Sequence, residues 1–139
     1  MGRILAIDHG LRRIGLALSD PMRIISSPFK TIIVENEDDA FDQLEEIVKT
    51  KEVDSIVMGL PIRTDGKDSP QTEIVRQFRD KLQVRLNKKV HFVDEAYSST
   101  EAHRILKTMG KKYGDDKGAI DRIAASIILE QYMKEISPY

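Results

Sequence analysis

The chain has 139 residues, 40% apolar and 32% charged, with a net charge of -1, which suits one soluble globular domain with room for a proper core. It holds no cysteine, which excludes a disulfide framework, thiolate-ligated zinc, an iron–sulfur cluster and a thiol nucleophile. The near-zero charge gives no whole-molecule attraction to nucleic acid, so such a partner must meet a local patch. No apolar run approaches a membrane span, and the N-terminus reads as a strand rather than a leader, so a cytoplasmic protein without membrane contact is expected.

The first element runs from Arg3 to Asp8. Its uncharged core Ile4-Leu5-Ala6-Ile7 reads as a strand buried on both faces, ended by Asp8 and turned at Gly10. A tight turn through Arg12 and Arg13 leads to a second strand, Ile14 to Ser19, and the short connection implies an antiparallel hairpin. Ile24 to Val34 reads as a third strand interrupted at Pro28. The acid-rich stretch Glu35 to Glu46 is read as a helix start, because Phe41, Leu44, Ile47 and Val48 fall at helical spacing and Lys49 and Lys51 close it.

Ser55 to Pro61 is a further buried strand, followed by a polar loop carrying Arg63. Ser69 and Pro70 start a long helix with an apolar stripe at Ile74, Val75, Phe78, Leu82 and Leu86. Its basic residues Arg76, Arg79, Lys81 and Arg85, with Lys88 and Lys89 beyond, read as a solvated face, with polyanion binding the less favoured reading. Val90 to Asp94 is a fifth strand. A helix through Ala102, Ile105 and Leu106 stops at Gly110, and a glycine- and charge-rich loop covers Lys111 to Gly118. The last helix spans about Ala119 to about Ile136. The predicted order is βββαβαβα, one α/β domain over residues 1–139, with helices covering both faces of a mixed five-stranded sheet in three layers, αβα.

The last helix carries an anomaly. Asp121 has Ala124, Ala125 and Ile128 as surface neighbours and so lies on the apolar arc. A carboxylate there costs several kcal/mol unless paired, on the order of an effective ion-burial penalty. Its partner is either a cation, from Arg12, Arg13, Lys117 or Arg122, or a divalent metal shared with Asp8 and Glu95 at two strand ends. Carboxylates from separated parts of the chain suit Mg²⁺ or Mn²⁺. Beside Asp8, His9 reads as an exposed turn residue.

These residues form a set that resembles a known family. Asp8-His9-Gly10 with Arg13-Ile14-Gly15 and Ser19-Asp20 is similar to the opening signature of the YqgF (RuvX) family of RNase H-like nucleases. Met58-Gly59-Leu60-Pro61 with Asp65-Gly66, Asp94-Glu95 with Ser98-Ser99, and Lys117 with Asp121 and Ala124-Ala125 resemble its second, third and fourth motifs. The match covers nearly the whole chain in order. One departure stands in the third motif, where Ala96 follows Glu95 in place of the family's usual arginine, removing a phosphate contact but leaving the acid.

The resemblance implies an RNase H-like nuclease of the Holliday-junction-resolvase-like group, hydrolysing phosphodiester bonds, with bacterial members linked to maturation of the 16S rRNA 5′ end. Its acidic triad falls on Asp8, Glu95 and Asp121, holding one or two Mg²⁺ or Mn²⁺ ions. Arg12, Arg13, Arg63 and Lys117 lie beside the motifs and are the candidate substrate contacts. The expected partner is nucleic acid, pre-16S rRNA first and branched DNA second, with the protein a monomer or weak homodimer. Two rivals remain: a junction resolvase, and a non-catalytic RNA-binding module associated with the ribosome or transcription machinery. A sugar-kinase-like ATPase is disfavoured, because the chain has room for one such domain and lacks a second Asp-x-Gly hairpin.

Overall fold

A computed structural model describes residues 2–61, 67–94, 108 and 117–137. Five strands form one mixed sheet: β1 (Arg3–Asp8), β2 (Arg13–Ser19), β3 (Ser26–Ile33), β4 (Val53–Leu60) and β5 (Val90–Asp94). Helices α1 (Glu37–Thr50), α2 (Pro70–Leu86) and α3 (Lys117–Ile136) complete the described elements. The order across the sheet is β3-β2-β1-β4-β5. β1 to β3 pair antiparallel, while β4 and β5 run parallel to β1. The βββαβαβα order expected from the sequence is observed, and the carboxyl ends of β1, β4 and β5 meet at one edge.

Pairing alternates the strand residues between two layers. Leu5, Ile7, Ile14, Leu16, Ile56 and Met58 face α1 and α2, where Leu44, Phe78 and Leu82 meet them. Ile4, Ala6, Ala17, Val57 and Val93 face α3 and pack on Ala125, Ile128 and Leu129. Both helices of the first layer begin as their sequences require. Asn36 caps α1 by accepting the Asp39 N–H at 2.7 Å. Ser69 and Thr72 form a reciprocal capping box on α2, with Pro70 in its first turn.

Two expectations are corrected. β3 is continuous and begins at Ser26 rather than Ile24; Pro28 is accommodated because β3 is an edge strand, and the register shifts beside it, opposite Leu16 and Ala17. The last helix begins at Lys117, so Lys117 and Gly118 belong to its first turn and not to the preceding loop. The basic run of α2 is largely neutralised. Arg76 pairs with Asp68, Arg79 with Asp80, and Lys81 with Glu37. Arg85 reaches Asp42 and Glu45. The acids of α1 and the bases of α2 thus answer each other across the helix pair, which argues against a polyanion surface there. The expected helix through Ile105 and most of the loop after it lie outside the described residues, as do Arg63 and Glu95. No helix among the described residues is long and apolar enough to cross a membrane.

Candidate active site

The site is built on one row of residues across three strands. Asp8 of β1 lies opposite Gly15 of β2, and Gly15 lies opposite Thr31 of β3. Cross-strand partners share a face, and this row faces α3. Gly15 is needed because α3 touches the sheet there: a Cβ at this position would collide with the backbone carbonyl of Asp121. A side chain of any size would lift the helix. Thr31 fixes the same turn from the other side. Its hydroxyl donates to the Gly118 carbonyl at 2.7 Å and accepts from Arg122 Nη1 at 3.0 Å. Further along, Ser26 Oγ donates to the Ser126 carbonyl at 2.9 Å.

The first turn of α3 is therefore clamped onto the row, and this brings Asp121 to Asp8. Both acids line one cleft of about 380 Å³ at the carboxyl edge of the sheet, together with His9, Arg12, Arg13 and Gln71. Such an edge is where open α/β sheets bind ligands. Asp121 heads the buried stripe of α3, one turn before Ala125 and two before Ile128. The apolar arc is narrower than its sequence suggests: Ile120, Ile123, Ala124 and Ile127 are only half-buried.

Arg13, one of the cations named as partners for Asp121, is in contact with it. Its Nε donates to Asp121 Oδ2 at 2.6 Å. Arg122 Nη1 donates to the Thr31 hydroxyl. Lys117 is the first residue of α3, one turn ahead of Asp121. Arg12 is exposed at the cleft rim. Asp8 and Asp121 are thus brought together with Arg12 and Arg13, while Glu95 and Arg63 lie outside the described residues.

His9 corrects the expectation of an exposed turn residue. Its ring is half-buried and lies 4.3 Å from the Phe78 ring, centroid to centroid, tilted by 47°. Its Nδ1 is buried and, among the described residues, lacks a hydrogen-bond partner. Burial lowers its pKa below the ordinary 6.5, with the nearby Glu37 acting in the opposite direction. The alternation that points Asp8 toward α3 points His9 toward α2.

Sequence reasoning missed Gly15 and Thr31 as site residues. A lone glycine inside an apolar strand is a signal for close backbone approach. Thr31 gives no local signal, because its partners lie 87 and 91 residues away.

The architecture defines a class, the RNase H-like fold shared with resolvases. The structure aligns with the Thermus thermophilus RuvC structure "in complex with Holliday junction substrate" at a TM-score of 0.61 and 8% identity, covering 97% of this chain and 95% of that one. It aligns with the fowlpox virus Holliday junction resolvase at a TM-score of 0.55 and 16% identity, covering 97% and 99%. At these identities the likeness speaks for the fold. The family follows from sequence: the model described as "RuvX: Holliday junction resolvase" matches residues 2–135, and the chain belongs to that family. Relatives from Koribacter versatilis and Maridesulfovibrio salexigens, each named "Putative pre-16S rRNA nuclease", are 38% and 40% identical. They match over 96% and 94% of this chain and 87% and 97% of their own lengths.

Proposed function

We propose that the protein is a metal-dependent endonuclease that hydrolyses phosphodiester bonds in the precursor at the 16S rRNA 5′ end. The observation that carries this reading is the meeting of Asp8 and Asp121, from opposite ends of the chain, at one cleft on the carboxyl edge of the sheet. Family membership and the relatives' names support the same reaction class and substrate.

The residues present fit a hard divalent cation. The donors at the cleft include the carboxylate oxygens of Asp8 and Asp121, which suit Mg²⁺ or Mn²⁺, while the His9 ring packs on Phe78 on the α2 side. Among the described residues no three acids or histidines cluster, so Glu95 is the proposed third ligand beside Asp8 and Asp121. When bound, a divalent cation lowers the pKa of a nucleophilic water and offsets charge on the scissile phosphate. The chain's own part is positioning. Gly15 and Thr31 hold Asp121 at the depth of Asp8, and the exposed Arg12 meets a backbone phosphate. Arg63 and Lys117 are proposed as further phosphate contacts. Water adds to phosphorus, the P–O ester bond breaks, and a phosphomonoester and a hydroxyl leave.

Branched DNA is the second reading, favoured by the family's description as a Holliday junction resolvase. The test is cleavage of labelled single-stranded RNA carrying the precursor 5′ end beside a labelled four-way DNA junction. Each is run with Mn²⁺, Mg²⁺ or chelator, for wild type and Asp8→Asn. RNA cleavage that needs metal and vanishes in Asp8→Asn, with melting unchanged, is the expected result. Junction cleavage alone moves the protein to branched DNA. Binding of RNA without cutting of either substrate makes it a binding module.

A further inference from the structure

The nuclease reading leaves the Arg13–Asp121 pair without a task. Arg13 Nε holds Asp121 Oδ2 at 2.6 Å, and the two side chains keep 35% and 22% of their surface exposed. Pairs with that much solvent contact are weak and exchangeable. A divalent cation drawn to the same oxygen meets a cation already in place, and two like charges at contact distance repel. Arg13 also borders the cleft beside Arg12, and a guanidinium fits a phosphate as readily as a carboxylate.

We propose that Arg13 is an exchangeable counter-cation. It holds Asp121 while no metal is bound, gives way when a divalent cation binds, and turns to a backbone phosphate of the nucleic acid. This rests on the nuclease reading and deepens it: metal and substrate are coupled through one side chain. Coupling between binding sites is reciprocal, so nucleic acid that draws Arg13 away also tightens metal binding.

The test is calorimetric titration of Mn²⁺ alone into the metal-free full chain, for wild type, Arg13→Gln, Arg13→Lys and Asp121→Asn. Arg13→Gln is expected to bind Mn²⁺ about two- to fivefold more tightly than wild type. Arg13→Lys gains less, because an ammonium keeps the charge but not the fork geometry. Arg13→Gln also binds single-stranded RNA more weakly, with the salt slope reduced by about one. If Arg13 merely ties α3 to β2, Arg13→Gln shows Mn²⁺ affinity unchanged or lower, and the proposal is overturned. Should Arg13→Gln fail to fold, unchanged Mn²⁺ affinity in Arg13→Lys overturns it equally. Asp121→Asn separates the two readings. Loss of Mn²⁺ binding there without a gain in Arg13→Gln removes only the exchange. Mn²⁺ binding equal to wild type in Asp121→Asn removes Asp121 as a ligand, and the exchange falls with it.

Discussion

The two faces of the sheet are built from different materials. Toward α1 and α2 the sheet presents large side chains, among them Leu5, Ile7, Ile14, Leu16, Ile56 and Met58, with Phe41 and Phe78 meeting above them at 5.0 Å between ring centroids. Toward α3 it presents Ala6, Gly15 and Ala17 among the larger Ile4, Val57 and Val93, and the helix answers with Ala125 beside Ile128 and Leu129. Large side chains hold the first layer away from the sheet and supply most of the apolar burial. Small ones let α3 settle until backbone meets backbone. The first face provides stability, and the second sets the depth of one carboxylate. Damage on one face should therefore be felt in melting, and damage on the other in catalysis.

The sharpest way to break this contrast is a pair of substitutions. Leu44→Ala, at a fully buried position on the first face, is expected to cost about 2–5 kcal/mol while the folded fraction keeps its activity. Gly15→Ala is expected to cost about 1–3 kcal/mol by overpacking, yet to lose cleavage out of proportion, because α3 lifts and carries Asp121 with it. Denaturant melts and turnover per folded molecule check both. Equal activity loss in the two variants would remove the division of labour.

Thr31→Val tests the clamp without touching the acids. It deletes the hydroxyl shared by Gly118 and Arg122, at a cost of about 1–3 kcal/mol. Turnover should fall while RNA affinity stays. A fall in affinity alone would mean that Thr31 does not set the position of Asp121.

His9 extends the comparison to pH. Its folded pKa lies below the ordinary 6.5 through burial, with Glu37 opposing. The unfolded chain thus takes up the proton first as pH falls. The stability contributed is full above about 6.5 and is lost as pH drops from there toward the folded pKa. His91, lowered by burial and then by Lys89, acts with the same sign. His9→Phe should flatten, without abolishing, the decline in melting temperature over that window. An unchanged slope would assign the effect to other groups.

The smallest effect is expected on the outer helices. Lys81→Ala removes an exposed partner of Glu37 and should leave RNA affinity unchanged, whereas Arg12→Ala should weaken it and lower the salt slope by about one. Equal losses in filter binding would restore α2 as a nucleic-acid surface.

Much of this was legible in the chain. The uncharged run ending at Asp8 reads as a strand because burial on both faces leaves a continuous apolar stretch. Ser69 and Pro70 marked a helix start because capping is a local matter. Asp121 drew notice because a carboxylate on an apolar arc contradicts its surroundings. His9 was misread because turn sequences are exposed on average, and nothing local announces Phe78.

By itself, then, the sequence determined the element order, the strand ends that carry acid and the helix that carries another, since each depends on residues within a few turns of one another. Tertiary structure decided that Arg13 contacts Asp121, that α1 neutralises α2, and that Gly15 and Thr31 set the depth of the site. These choices depend on sheet order and on helix-to-sheet distance. Pairing of distant strands fixes both, and neither leaves a trace in local composition or period.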